Sequence, residues 1–201
     1  MRHFLFGYGS LISRESRHAT GKTGKAEPIQ VQDMRRSWNV AAPKMQMVGV
    51  GIVPEQAAIC NGVLIEINEG EIASFDKREI NDTDHSYARA EIEFKKIIGL
   101  HWEFDPSDKV WTYIVIKPCL PSREFPILQS YVDVILSGCL EISHEFAMGF
   151  ICNTDGWENP WDNDRTHPKY IRHLKEVKFQ YKIDELLEKF APSGFAARKD
   201  I

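Results

Sequence analysis

Three observations predict an α+β fold around a mixed or antiparallel sheet. Short apolar or alternating segments fill most of the chain up to about residue 116, and helical amphipathic periodicity dominates after about residue 127. Strand and helix seldom alternate in the way a βαβ architecture requires. At 201 residues the length suits one domain. The whole of 1–201 is read as that domain, with a helical C-terminal extension from about residue 174.

The elements follow in order. Residues 3–6 form a short apolar run that enters Gly7-Tyr8-Gly9-Ser10, a buried strand feeding a tight turn. Residues 11–18 suit a brief helix, and 21–24 a loop. Residues 29–32 alternate, and 37–41 make another strand. The Gly-, Pro- and Met-rich stretch 43–58 predicts a long loop. Residues 59–67 are the strongest strand, with Gly62 marking a bulge or a close backbone approach. Asn68 is placed to cap a helix over 69–78. Residues 87–94 alternate, and 110–116 are β-branched and aromatic. Helices are predicted over 127–140 and 142–151, with shorter ones at 170–176 and 183–190.

Composition narrows the function. Hydrophobic residues at 43% and aromatics at 11% exclude a disordered chain. Twenty-five basic against 29 acidic side chains leave a net charge of −4, which disfavours nucleic acid as the main partner. The Arg35-Arg36 pair is too short to argue a basic patch. No stretch has the roughly 20 apolar residues of a membrane helix, and the N-terminal run reads as no signal peptide, so a cytoplasmic location is expected. Cys60, Cys119, Cys139 and Cys152 form no CxxC pair and lie among apolar neighbours, as buried reduced thiols do.

Several chemistries fail on spacing. Gly7-Tyr8-Gly9 lacks the third glycine of a dinucleotide fingerprint, because position 12 is Ile. Gly21-Lys22-Thr23 ends like a phosphate-binding loop, but the glycine needed five positions earlier is Ser16. His144-Glu145 has no second histidine at a zinc-hydrolase offset, so His144 reads as an exposed helix residue. The acid-rich stretch 153–164 holds two Trp and a Pro and does not match a calcium loop.

What survives is the strand-turn Tyr8-Gly9-Ser10-Leu11 together with the carboxylate of Glu79. Alone, the first is a tight turn and the second a solvated helix end. In this order, with Asn61-Gly62-Val63-Leu64 between them, Tyr87-Ala88-Arg89 after them, then the helix segment carrying Tyr131 and the block from Trp161 to Tyr170, they resemble the gamma-glutamylcyclotransferase-like family over about residues 4–173. Ile80 follows Glu79 where many relatives have Gly.

The resemblance implies a small mixed β-barrel with peripheral helices. It also implies an enzyme that cyclises a γ-glutamyl amide to 5-oxoproline, releasing the amine. Glu79 is then the general acid/base, moving a proton from the α-ammonium to the leaving nitrogen. The backbone of Tyr8, Gly9, Ser10 and Leu11 would cradle the α-carboxylate or the developing oxyanion. Tyr87 and Tyr131 would add hydroxyl donors or serve as core aromatics. The mechanism requires no metal and no organic cofactor. The expected partner is a small γ-glutamyl substrate, with no nucleic acid or membrane. A peptide such as glutathione, a γ-glutamyl amino acid, a γ-glutamylamine and a biosynthetic intermediate all remain open. The rival readings are a non-catalytic small-molecule binding protein of the same fold and, from Gly21-Lys22-Thr23, a nucleotide binder.

Overall fold

The computed structural model describes residues 1–81 and 85–201. Strand β1 (His3–Gly7) is buried along its whole length. It lies between two others, which is why it reads as a continuous apolar run rather than an alternating one. On one side it pairs antiparallel with β3 (Met47–Ile67), Leu5 opposite Ile65. On the other it pairs parallel with β6 (Lys109–Val115), His3 opposite Lys109.

The spine of the sheet is a hairpin of β2 (Thr23–Ala42) and β3, 20 and 21 residues long. This corrects two expectations. The segments 29–32 and 37–41 belong to one strand, and 43–58 is no loop: residues 43–46 make a tight turn, with Gln46 at φ +48°, and the chain then re-enters the sheet. The glycines that suggested a loop serve close packing instead. A Cβ on Gly51 would stand 2.2 Å from Val115 Cγ2 and 2.5 Å from Asn39 Oδ1. Gly62 behaves as expected, since a Cβ there would lie 2.5 Å from the Gly7 carbonyl oxygen. The pairing of β2 with β3 shifts register between Gln32 and Met34 and between Trp38 and Val40. At the first shift Asp33 and Ala57 both take positive φ, and the Ala57 N–H donates to Asp33 Oδ1 at 3.0 Å.

The remaining strands of this sheet are β4 (Tyr87–Glu91), β5 (Ile97–Ile98) and β8 (Thr154–Asp155). The order is β4-β6-β1-β3-β2-β5, with β8 on β2. Ile52 of β3 also pairs with Ile114 of β6, so the sheet curls back on itself. A small parallel sheet of β7 (Ile127–Leu128), β9 (Trp161–Asn163) and β10 (Lys199–Asp200) lies beside the helices. The class is α+β, with a mixed sheet.

Helices α1 (Arg14–His18) and α2 (Ile72–Asp76) are short; α3 (Gln129–Ile142), α4 (His144–Cys152), α5 (Gln180–Phe190) and α6 (Pro192–Ala197) follow. The helix expected over 69–78 is really three pieces: a 3₁₀ turn, then α2, then a wider π turn at Lys77–Asn81. Asn68 precedes the first piece without a capping bond from its side chain. No helix forms over 170–176. Tyr170 is buried there, and the segment is tied back by Asp164, whose buried carboxylate accepts from the N–H and hydroxyl of Ser130 (2.7 and 2.6 Å) and from Lys169 N (2.8 Å). That carboxylate caps the N-terminus of α3 from a distance. Arg165 grips Asp133 of α3 through Nε and Nη2 at 2.8 and 2.7 Å.

The four thiols are free. Cys60 and Cys139 are buried, whereas Cys152 is exposed and Cys119 partly so, against the expectation of four buried thiols. Among the described residues no helix is long and apolar enough to cross a membrane.

Asp108 anchors the start of the chain. Burial alone would raise its carboxyl, but hydrogen bonds from the Arg2 side chain, the Arg2 N–H and the Asp105 N–H prevail and hold it at about 2. A folded value below the unfolded one contributes stability above about pH 4 that is lost as pH falls toward 2. Asp108→Asn is therefore expected to lower Tm at pH 7 and to shrink the gap from wild type as pH is taken from 5 to 2. A constant gap in melting curves across that range would contradict it.

Candidate active site

The site begins where β1 runs out. Gly7 is needed there because the chain folds sharply: a Cβ on it would lie 2.7 Å from that of Leu11. A single 3₁₀ turn, Ser10–Ile12, follows, closed by Ile12 N donating to Gly9 O at 2.9 Å. Two buried arginines clamp this segment. Arg17 Nη1 donates to the carbonyls of Leu11 (3.0 Å) and Ile12 (2.7 Å). Arg36 is fully buried, and its Nη1 donates to the Tyr8 carbonyl at 3.1 Å.

Arg36 is bound through every N–H it has. Nη1 also donates to Asn61 O (2.7 Å), Nη2 to Asn61 Oδ1 (2.7 Å) and Phe150 O (3.0 Å), and Nε to Thr154 Oγ1 (2.7 Å). Its guanidinium sits 3.7 Å from the centre of the Phe150 ring. One side chain thus joins the turn after β1 to β3 and to the end of α4.

Glu79 arrives from the π turn that follows α2. Its side chain is 18% exposed, and its Oε1 lies 3.0 Å from Nε of the preceding residue, Arg78. Widened turns of this kind recur at functional sites, where they re-aim side chains.

Five tyrosines line the walls: Tyr113, Tyr170 and the three foreseen in the sequence, Tyr8, Tyr87 and Tyr131. The Tyr8 hydroxyl donates to the carbonyl of Tyr113, and the Tyr87 hydroxyl to that of Val50, both at 2.6 Å. Tyr131, on α3, stacks edge-on against Trp38 and Tyr170, with ring centres at 5.9 and 4.8 Å. A Cβ on Gly9 would meet the Tyr131 hydroxyl at 3.3 Å. Burial pushes the phenols of Tyr8, Tyr87 and Tyr131 up, and the charge on Glu79 adds to the shift. They are neutral hydrogen-bonding groups across the physiological range.

These parts enclose two adjoining hollows. Ser10, Glu79, Tyr87 and Tyr131 line both. The inner hollow is walled by residues 6–11, so all seven residues singled out in the sequence (Tyr8, Gly9, Ser10, Leu11, Glu79, Tyr87 and Tyr131) come together on it. The outer hollow opens past Met45, Met47, Tyr170 and Arg172. Sequence reasoning missed Arg36, Arg78, Tyr113 and Arg172. Arg36 carries no local signal, because its partners lie far along the chain, and apart from the adjacent Glu79 the same holds for Arg78.

A family model for gamma-glutamyl cyclotransferase, AIG2-like, matches residues 5–131, well over half of the chain. The chain belongs to this gamma-glutamyl cyclotransferase family. The match spans the strand-turn, the hairpin, the Glu79 turn and β4, and ends at Tyr131, so the family portion contains all seven residues on the inner hollow. Solved structures share the fold. A gamma-glutamyl cyclotransferase superposes with a TM-score of 0.60 at 16% identity, over 92% of this chain and 99% of its own. The human protein loc79017 gives 0.57 at 15%, over 90% and 98%. YkqA from Bacillus subtilis gives 0.51 at 19%, over 73% of this chain and 51% of its own. Comparison with curated protein sequences returned no match. At such identities the structural likeness speaks to fold.

As a member of this cyclotransferase family, the chain brings one carboxylate, four neutral phenols (Tyr8, Tyr87, Tyr113 and Tyr131) and a glycine-containing backbone turn to a single cleft. Among the described residues no cluster of His, Cys, Asp and Glu is arranged to hold a metal ion. The set is suited to moving a proton and to stabilising an oxyanion by hydrogen bonds.

Proposed function

We propose that the protein cyclises a γ-glutamyl amide to 5-oxoproline and releases the amine, with Glu79 as the proton relay. The observation that carries this reading is the meeting of the Glu79 carboxylate with the turn at residues 8–11 on one hollow, although they lie some 70 positions apart in sequence.

The γ-glutamyl group lies in the inner hollow, its α-carboxylate against the backbone of the turn. Glu79 takes a proton from the α-ammonium, and the freed amine attacks the γ-carbonyl carbon to close a five-membered ring. Attack within one molecule gains several kcal/mol by proximity alone once the chain is held folded. The resulting oxyanion is stabilised by N–H groups of the turn and by Tyr131. Glu79 then returns its proton to the amide nitrogen, the C–N bond breaks, and the ring nitrogen passes its second proton through Glu79 to the departing amine, so that 5-oxoproline and an ammonium leave. No other reactant is consumed. The amine portion of the substrate occupies the outer hollow beside Met45, Met47 and Arg172.

The test is incubation of the protein with a panel of γ-glutamyl peptides, γ-glutamyl amino acids and γ-glutamylamines, read by mass spectrometry. Expected is 5-oxoproline together with an equimolar amine from at least one class. A panel that yields none, with ligand binding still detected by titration, would replace the enzyme with a binding protein of the same fold.

A further inference from the structure

Adjacent residues on an α-helix do not face each other. Arg78 and Glu79 nevertheless enter the same cleft, across the place where the helix widens into the π turn. The Arg78 side chain is only 5% exposed, and none of its N–H groups is left for a ligand. Nε faces Glu79 Oε1 at 3.0 Å. Nη1 donates to the Ser16 carbonyl at 3.0 Å and to the Thr20 hydroxyl, and Nη2 to Ser10 Oγ at 2.9 Å and Ser16 Oγ at 3.1 Å. One rigid fork therefore links the carboxylate to α1 and to Ser10, a member of the turn that would cradle the substrate.

We propose that Arg78 is a positioning residue, which fixes the Glu79 carboxylate in register with the 8–11 turn, its guanidinium against Oε1, where it can accept the α-ammonium proton. The inference rests on the cyclotransferase reading with Glu79 as the relay. The other titratable groups around the hollow are Tyr8 after β1, Tyr87 on β4, Tyr113 on β6, Tyr131 on α3, and Tyr170 and Arg172 on the segment after β9. Burial keeps Tyr8, Tyr87, Tyr113 and Tyr131 neutral. Arg172 adds a positive charge on the outer wall, while Arg78 places its own against Oε1.

The experiment compares Arg78→Gln, Arg78→Lys, Glu79→Gln and the Arg78→Gln/Glu79→Gln double variant, using the γ-glutamyl compound that wild type turns over best. Arg78→Gln is expected to lower kcat by about 10–10²-fold with KM changed by less than about threefold, the signature of a displaced catalytic group rather than lost binding. It is also expected to move the acid limb of kcat/KM to higher pH, because removing the cation favours protonation of the base. Arg78→Lys keeps the charge and loses the fork; its acid limb is expected to stay in place while kcat recovers in part. In the double variant, loss of Arg78 is expected to cost nothing beyond Glu79→Gln, since Arg78 acts through that carboxylate.

A wild-type kcat and acid limb in Arg78→Gln, or a double variant slower by the full Arg78→Gln factor, would overturn the proposal. If Arg78→Gln does not fold, Arg78→Lys decides: undiminished kcat refutes the positioning role. Wild type that cyclises nothing, or an active Glu79→Gln, removes the underlying reading and this inference with it. An inactive Glu79→Gln beside an unaffected Arg78→Gln removes only the role of Arg78.

Discussion

Replacing Glu79 by glutamine is expected to cut 5-oxoproline release by at least about 10²–10⁴-fold, the usual contribution of a positioned acid/base group. Tm and ligand affinity should stay close to wild type. The amide has the size and shape of the carboxylate, still offers an acceptor to Arg78 Nε, and stands in a partly exposed position where packing changes little. What it cannot do is take the α-ammonium proton at neutral pH and hand it on. Rates of release, a titration with a γ-glutamyl ligand and a melting curve separate the alternatives. Unchanged release would move the relay to another group, and equal loss of melting temperature and rate would make Glu79 structural.

The largest expected loss of stability comes from Arg36→Leu. Leucine fills part of the volume but removes the guanidinium donor from five acceptors: the carbonyls of Tyr8, Asn61 and Phe150, Asn61 Oδ1 and Thr154 Oγ1, of which the Phe150 carbonyl keeps the Thr154 hydroxyl. Each buried acceptor left unsatisfied costs about 1–3 kcal/mol because it stays desolvated, so losing several together, with partial relaxation, is expected to cost about 3–5 kcal/mol. At about 2–4 °C per kcal/mol for a chain of this size, Tm should fall by roughly 6–20 °C. Arg36→Lys should restore only a fraction, since a single ammonium cannot reach acceptors arrayed around the edge of the planar guanidinium. A fall of less than about 3 °C for Arg36→Leu would mean that the acceptors have found other donors.

The parts legible in the sequence were those whose reasons are local. The apolar run before Gly7 and the close approach at Gly62 show directly in residue type, and the helices ending at Ile142 and Cys152 show in their period. The hairpin escaped because Gly49, Gly51 and Pro54 look like loop punctuation, whereas Gly51 lets Val115 and Asn39 pack tightly against the strand. The expected helix over 170–176 failed because the long-range bond from the Tyr170 N–H to Ser130 Oγ and burial of the Tyr170 ring outweigh its weak periodicity. Of the site, the turn and Glu79 were visible as a pattern of residues in order. Arg36 and Arg78 were invisible for a physical reason: apart from the contact of Arg78 with adjacent Glu79, their partners lie as far as 118 and 68 positions away.

The tip of the β2–β3 hairpin has a further consequence. Its turn residues Pro43, Lys44 and Gln46 face solvent, while Met45 and Met47 beside them line the outer hollow. The inner hollow is walled instead by the buried end of β1 and the clamped turn after it. On the proposed reaction, recognition of the departing amine and the chemistry on the glutamyl group would thus reside on parts of the chain with unequal freedom to change. A surface turn accepts new lengths and side chains far more readily than a clamped interior, so variants of this scaffold can diverge in the amines they release while the ring-closing end stays as it is.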